Sequence, residues 1–318
     1  MMQQKKQKIV FIVNSLNIGG TEKIVIETCN GLDFTKYDAT IVCLSPYDSA
    51  NSIYTVVAPV KEINIVYFSY DFGSDYSLSG YFKLLLKKST DSSLKPIIDY
   101  LVKLQPDIIH FHTSPRELII ANRLKQKNKK IFTDHSLRIR ANEYGKIKTH
   151  LLIFVLKRLY SKFNVITVSE DIKRNLCQLN IFNHKRNITV IPNSIDTNLY
   201  EPSTSKKTEQ LAVIYVSRIA EGKGHKDLIK AWGLLKNIPE KKLMIVGPDN
   251  LNGEIHQLVE RYNCSDSVEF AGAVSDSKDW LIKANIAVFP SYKEGLPLSL
   301  LEKMAVVTKR MKAMKIEG

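Results

Sequence analysis

The chain has 318 residues, of which 44% are hydrophobic and 25% charged, with a formal net charge of +14. That is enough apolar material for two domains with separate cores, and no apolar run reaches the ~20 residues that a bilayer span needs. The four cysteines, Cys29, Cys43, Cys177 and Cys264, show neither CxxC nor His-paired spacing, which speaks against a zinc site and for reduced thiols of a cytoplasmic protein.

A basic N-terminal tip enters a strand signal at 8–16 (KIVFIVNSL) with no cleavage-site pattern, so no signal peptide is expected. Asn17-Ile18-Gly19-Gly20 then opens a helix reaching about Gly31. Strands follow at about 38–44 and 60–66, a polar loop at 69–79, and a helix at about 80–104 that Pro106 stops. Strands at 107–111, 130–134, 164–168 and 187–191 then alternate with helices at 115–126, 145–162 and 170–180. The polar, apolar-poor stretch 195–210 reads as a linker, which places one domain at 1–194 and a second at 211–318. Alternation restarts there, with strands at 211–216, 242–246, 267–271 and 285–289 and helices at about 225–236, 252–262, 276–283 and 297–305. Continuous apolar strands alternating with helices are the pattern of parallel sheets covered on both faces. The expected fold class is therefore α/β, two Rossmann-like doubly wound domains with ligands beyond the strand carboxyl ends, in a cleft between the domains.

Charge is uneven: residues 1–195 hold 28 Lys/Arg against 16 Asp/Glu, the rest 18 against 16. The basic first part is expected to meet something anionic. Nucleic acid is disfavoured, because no nucleic-acid motif appears and the basic residues are not interleaved with aromatics. A phosphate-bearing acceptor or peripheral contact with an anionic membrane fits better. The run 146–163 (KIKTHLLIFVLKRLYSKF) could rest in a membrane interface, but a core helix with basic flanks is the simpler account.

The most informative stretch is 290–305, PSYKEGLPLSLLEKMA. An apolar strand, the Glu294-Gly295 turn and a helix with Pro297 early in it form an anion site, where free N–H groups and the positive helix end converge. Glu294 and Glu302 bracket it with acceptors suited to sugar hydroxyls. Arg218 at a strand end and Lys223-Gly224 at a helix start direct two cations to the same sheet edge, where Gly247 and Gly272 also follow strands. In the first domain His110, His112 and His135 fall at strand ends, and at least one of them is expected to be functional. GxGxxG is absent, which disfavours a dinucleotide cofactor, and no Asp-x-Asp pair or zinc spacing points to a metal.

In this order the segments NIGGTE, DIIHFHTS, FTDHS, VIPNSID, YVSRIAEGKGHKDLIKAW, LMIVGPD, VEFAGAV and PSYKEGLPLSLLEKMA resemble retaining glycosyltransferase family 4, of GT-B architecture. The resemblance implies metal-independent transfer of a sugar from a UDP- or GDP-linked donor to a glycan or lipid-linked acceptor, with retention of configuration, in polysaccharide biosynthesis. It implies no separate cofactor. By position it places Arg218 and Lys223 on the diphosphate and Glu294 on donor-sugar hydroxyls. Backbone N–H groups at Gly295, Leu296 and Leu298 would meet phosphate or sugar, and Glu302 the ribose. His135 falls beside the transferred sugar, and Gly19 and Gly20 in the loop nearing phosphates and acceptor. Ser194 and Ser217 stand where the family usually has Gly. After Glu302 the text departs from the family pattern, so a truncated second domain with four strands is expected. Two alternatives follow: a nucleotide-sugar-binding remnant, catalytically weak or dead, and a sugar-nucleotide epimerase of similar fold.

Overall fold

The computed structural model describes residues 5–49, 52–55, 57–70, 94–113, 118–124, 127–136, 146–182, 188–199, 211–274, 276–292 and 294–306. The chain divides into two units, Met1–Pro192 and Asn193–Gly318. The linker expected at 195–210 is described only through 199, and most of the loop and helix expected at 69–104 falls in 71–93, outside the described residues.

The first unit is built on β1 (Gln7–Val13), α1 (Gly20–Asn30), β2 (Tyr37–Cys43), β3 (Asn64–Tyr67), α2 (Lys95–Leu104), β4 (Ile108–Phe111), α3 (Ile119–Arg123), β5 (Lys129–Asp134), α4 (Lys146–Tyr160), β6 (Asn164–Thr167), α5 (Glu170–Gln178) and β7 (Ile188–Val190). Its strands form one parallel seven-stranded sheet in the order β3-β2-β1-β4-β5-β6-β7. β1 lies in the interior of the sheet, between β2 and β4, because it is apolar on both faces. Ile9, Phe11 and Val13 pack with Val25, Ile26 and Cys29 of α1, while Val10 and Ile12 are fully buried on the other side. Each such side chain contributes about 1.5–3 kcal/mol by leaving water. Helix ends carry their own signals. Ser169 accepts from the Ile172 N–H at the start of α5, and Gln105 ends α2 in the left-handed region just before Pro106.

α4 settles the reading of 146–163 in favour of a core helix. Leu152, Val155, Leu156, Leu159 and Tyr160 are buried, and His150, Phe154, Lys157 and Arg158 form the outer face. Among the described residues no helix is long and apolar enough to cross a membrane. All four cysteines are free, and burial pushes the Cys43 thiol up to about 12, which leaves it unreactive.

The second unit contains β8 (Ala212–Val216), α6 (His225–Leu234), β9 (Lys242–Val246), α7 (Glu254–Arg261), β10 (Val268–Gly272), α8 (Lys278–Lys283) and β11 (Ile286–Ala287). A helix at 298–306 follows. The sheet is parallel, in the order β10-β9-β8-β11. Alternate residues of β8 serve two cores: Val213 packs with Ile229 and Trp232 of α6, Ile214 with Leu281 of α8. β11 is shorter than the 285–289 expected, being an edge strand with one neighbour. Even so, the Val288 N–H still donates to the Ile214 carbonyl at 2.9 Å, carrying the pairing one residue on.

Candidate functional site

Because every strand of the second sheet runs the same way, the segments after β8, β9, β10 and β11 all emerge at one edge. There the backbone is packed too closely for side chains. Gly247 has φ +146°, and a Cβ on it would lie 2.2 Å from the Ser217 carbonyl oxygen. Its N–H donates to the Gly272 carbonyl at 2.8 Å. Gly224, at φ +73°, would place a Cβ 2.2 Å from the Pro290 carbonyl oxygen. Gly272, at φ +66°, faces open space.

The loop 217–224 after β8 and the loop 290–297 after β11 are fastened together. Tyr215 Oη donates to the Lys223 carbonyl at 2.8 Å and shares a 2.6 Å hydrogen bond with Ser291 Oγ. The Tyr292 N–H donates to the Gly222 carbonyl at 2.9 Å. Lys223 Nζ lies 2.7 Å from Glu294 Oε1, with both side chains partly exposed. Ser299, in the first turn of the helix at 298–306, donates to the Val216 carbonyl at 3.2 Å. The helix start is thereby anchored beside the end of β8. Asn193 Nδ2 donates to the Leu296 carbonyl at 2.8 Å, holding the turn from the other side. The N–H groups of Gly295, Leu296 and Leu298 have no acceptor among the described residues, although the Leu298 side chain is buried.

Lys223, Glu294, Gly295 and Leu296 thus meet in one construction, and Arg218 stands exposed two residues past the end of β8. Glu302 sits apart. It is buried and accepts from Ser277 Oγ, just ahead of α8, at 3.4 Å. Its neighbour Lys303 is buried too, and Nζ donates to the Leu281 and Ala284 carbonyls at 2.7 Å each, closing the C-terminal end of α8. Tyr215, Asn193, Ser299 and Lys303 are supports that the sequence reading did not single out. All four fall inside segments that carry the resemblance, Asn193 in VIPNSID, Tyr215 at the start of YVSRIAEGKGHKDLIKAW, and Ser299 and Lys303 in PSYKEGLPLSLLEKMA, but the resemblance gives none of them a role. Behind Lys223, His225 is buried against the Tyr215 ring; burial, then the Lys223 charge, lowers it to about 4.

In the first unit, His110 and His112 project to one side of β4, their ring centroids 4.1 Å apart. Nε2 of His110 lies 2.8 Å from Thr133 Oγ1, and Nδ1 of His112 lies 3.0 Å from Nε2 of His135. Burial lowers His110 to about 3 and pushes His112 well below its ordinary value, so both rings are neutral at neutral pH. Gly19 precedes α1 in an extended conformation open to any residue, and Gly20 begins the helix. A Cβ on Gly19 would fall against the movable Glu22 carboxylate. Among the described residues no group of three or more His, Cys, Asp or Glu could hold a metal ion.

The family model described as Glycosyltransferase Family 4 matches residues 18–199, more than half of the chain. The chain belongs to this glycosyltransferase family. The model described as Glycosyl transferases group 1 matches residues 196–308. The chain is 25% identical over 300 residues to an uncharacterized glycosyltransferase of Haemophilus influenzae, covering 93% of this chain and 77% of that protein. It is 29% identical over 178 residues to the phosphatidylinositol N-acetylglucosaminyltransferase gpi3 subunit of Schizosaccharomyces pombe. That match covers 55% of this chain and 38% of the yeast protein, so the chain spans well under half of that relative's length. Anabaena HepE, solved with UDP and glucose, superposes with a TM-score of 0.71 at 18% identity, covering 94% of this chain and 78% of HepE. That likeness shows the GT-B fold, with two Rossmann-like domains.

Proposed function

We propose that the chain transfers a sugar from a nucleoside diphosphate donor, UDP- or GDP-linked, to a glycan or lipid-linked acceptor, with retention of configuration and no metal ion. The observation that carries this is the fastening of Lys223, Glu294 and the N-terminal end of the helix at 298–306 at one sheet edge. Cleaving the sugar–phosphate bond leaves negative charge on the diphosphate. A fixed ammonium, the Arg218 guanidinium and unpaired N–H groups at a helix start are groups that stabilise charge where it develops. Glu294 supplies an acceptor for sugar hydroxyls, held ready by Lys223. Glu302, buried beside Ser277, is assigned to the ribose, with Gly247 and Gly272 letting the nucleoside lie against backbone. His135 and the Gly19–Gly20 loop of the first unit are assigned to the sugar and acceptor. The UDP in the HepE structure supports a nucleoside diphosphate as the donor's leaving portion.

Incubation with a panel of UDP- and GDP-sugars tests the reading. Release of nucleoside diphosphate with a sugar transferred is the expected result. Conversion of the free donor to its epimer, or binding to none of the panel, overturns it.

A further inference from the structure

We propose that His112 is a positioning residue: it donates a hydrogen bond from Nδ1 to Nε2 of His135 and thereby keeps the His135 proton on Nδ1. The inference deepens the assignment of His135 to the transfer site and rests on that reading for its functional meaning.

The argument starts from the 3.0 Å separation of His112 Nδ1 and His135 Nε2. One of these two nitrogens must carry the proton between them. His112 is 6% exposed and neutral, so it has one ring proton to place. Its other nitrogen, Nε2, is buried with no hydrogen-bond partner among the described residues. With the proton on Nε2, a buried N–H would meet no acceptor among the described residues, and orphaned buried donors are the rarer defect. With the proton on Nδ1, the bond to His135 is made and only a lone pair is left over. His112 therefore donates and His135 accepts at Nε2. A neutral His135 then holds its own proton at Nδ1, and whatever it contacts there it contacts as a donor.

The surroundings leave His112 little freedom to turn. Its backbone N–H donates to the Ile12 carbonyl at 2.9 Å, and its ring packs in one cluster with those of His110, 4.1 Å away, and Phe11, 6.0 Å away. His110 is in turn held by Thr133 Oγ1. The i, i+2 spacing of the two histidines stacks them on one side of the chain, as a strand requires.

Long-range ¹H–¹⁵N spectra of the imidazoles in the full-length, ¹⁵N-labelled chain, free of donor, test the proposal directly. Both His112 and His135 are expected as the Nδ1–H tautomer. His112→Leu should release His135 from that tautomer. His112→Asn, whose amide nitrogen stands near the place of Nδ1, should keep it. An Nε2–H tautomer for native His135, or an unchanged tautomer in folded His112→Leu, overturns the proposal. If His112→Leu does not fold, the native and His112→Asn spectra decide alone. In turnover, His112→Leu should lower kcat about 10–100-fold with donor KM little changed, the scale of losing an orienting partner, and His112→Asn should restore most of it. The tautomer measurement needs no turnover. A chain that transfers no sugar would remove the transferase reading while leaving the His112–His135 assignment intact.

Discussion

Replacing Gly224 with Ala asks whether the two loops over the second sheet edge are held as tightly as the backbone suggests. The residue sits at φ +73°, where a side chain costs about 1–2 kcal/mol. Its new Cβ would also lie 2.2 Å from the Pro290 oxygen and 2.8 Å from the Pro290 carbonyl carbon. Both are main-chain atoms, so no rotamer change relieves the overlap and the loop 290–297 must retreat. Retreat strains the Tyr215–Ser291 hydrogen bond, the Tyr292–Gly222 hydrogen bond and the Lys223–Glu294 pair. At about 1 kcal/mol for each hydrogen bond, and less than that for a partly exposed ion pair, the contacts add about 2–3 kcal/mol. The expected total is about 3–5 kcal/mol. Gly222 is the matched control: it has φ +81° but no atom within 4 Å of a Cβ, so Gly222→Ala should cost only the backbone term, about 1–2 kcal/mol. Both tryptophans, Trp232 and Trp280, lie in the second unit, so their fluorescence follows its unfolding in urea. With a slope of about 2 kcal/mol/M, the two variants should differ in midpoint by about 1 M. Midpoints within about 0.2 M of each other would show that the packing against Pro290 carries no energy and that the loops are not fastened as described.

Three further outcomes follow from the same geometry. Arg218→Ala or Lys223→Ala should lower turnover by about 10²–10³, the scale of losing one partner of developing charge, and a change within about twofold in steady-state assays would reject the assignment. Lys303→Met should destabilise the second unit by about 2–3 kcal/mol, because the Leu281 and Ala284 carbonyls lose a buried charged donor. A urea midpoint equal to that of the native chain would contradict this. His225 titrates at about 4 in the fold and 6.5 when free, so the unfolded chain takes the proton first. Its contribution to stability is full above pH 6.5, is lost as pH falls from 6.5 towards 4, and changes no further below that. Over that window His225→Gln should show a shallower loss of stability than the native chain, and equal slopes would sink the idea.

Both sheets are legible in the residue pattern, because parallel strands covered on two faces need an unbroken apolar run, as IVFIV in β1 and AVIYV in β8 are. The sheet edge carrying the site is legible for a different reason. Charged residues next to glycine, as at Lys223-Gly224 and Glu294-Gly295, interrupt an apolar pattern at strand ends. Tyr215 is hidden for the opposite reason. Within an apolar strand a tyrosine reads as core, and nothing in the spacing shows that its hydroxyl joins Lys223 to Ser291. Lys303 misleads similarly, since a lysine in an amphipathic run is normally a solvated residue. β11 is shorter than its apolar run, since a run shows what can be buried and not how far a hydrogen-bonded ladder extends.

Chain order and residue type alone determined that this protein has two wound sheets, and which turns carry charge and glycine. They could not say which turns touch. Lys223 and Glu294 are 71 residues apart, and they meet because β11 lies against β8 with Ala287 opposite Ile214, which brings the following loop over Gly224. The pairing of His112 with His135 likewise depends on β4 lying beside β5. Strand neighbours and their register are settled by packing across the whole sheet, so the partners of a side chain at a strand end exist only once that packing is complete.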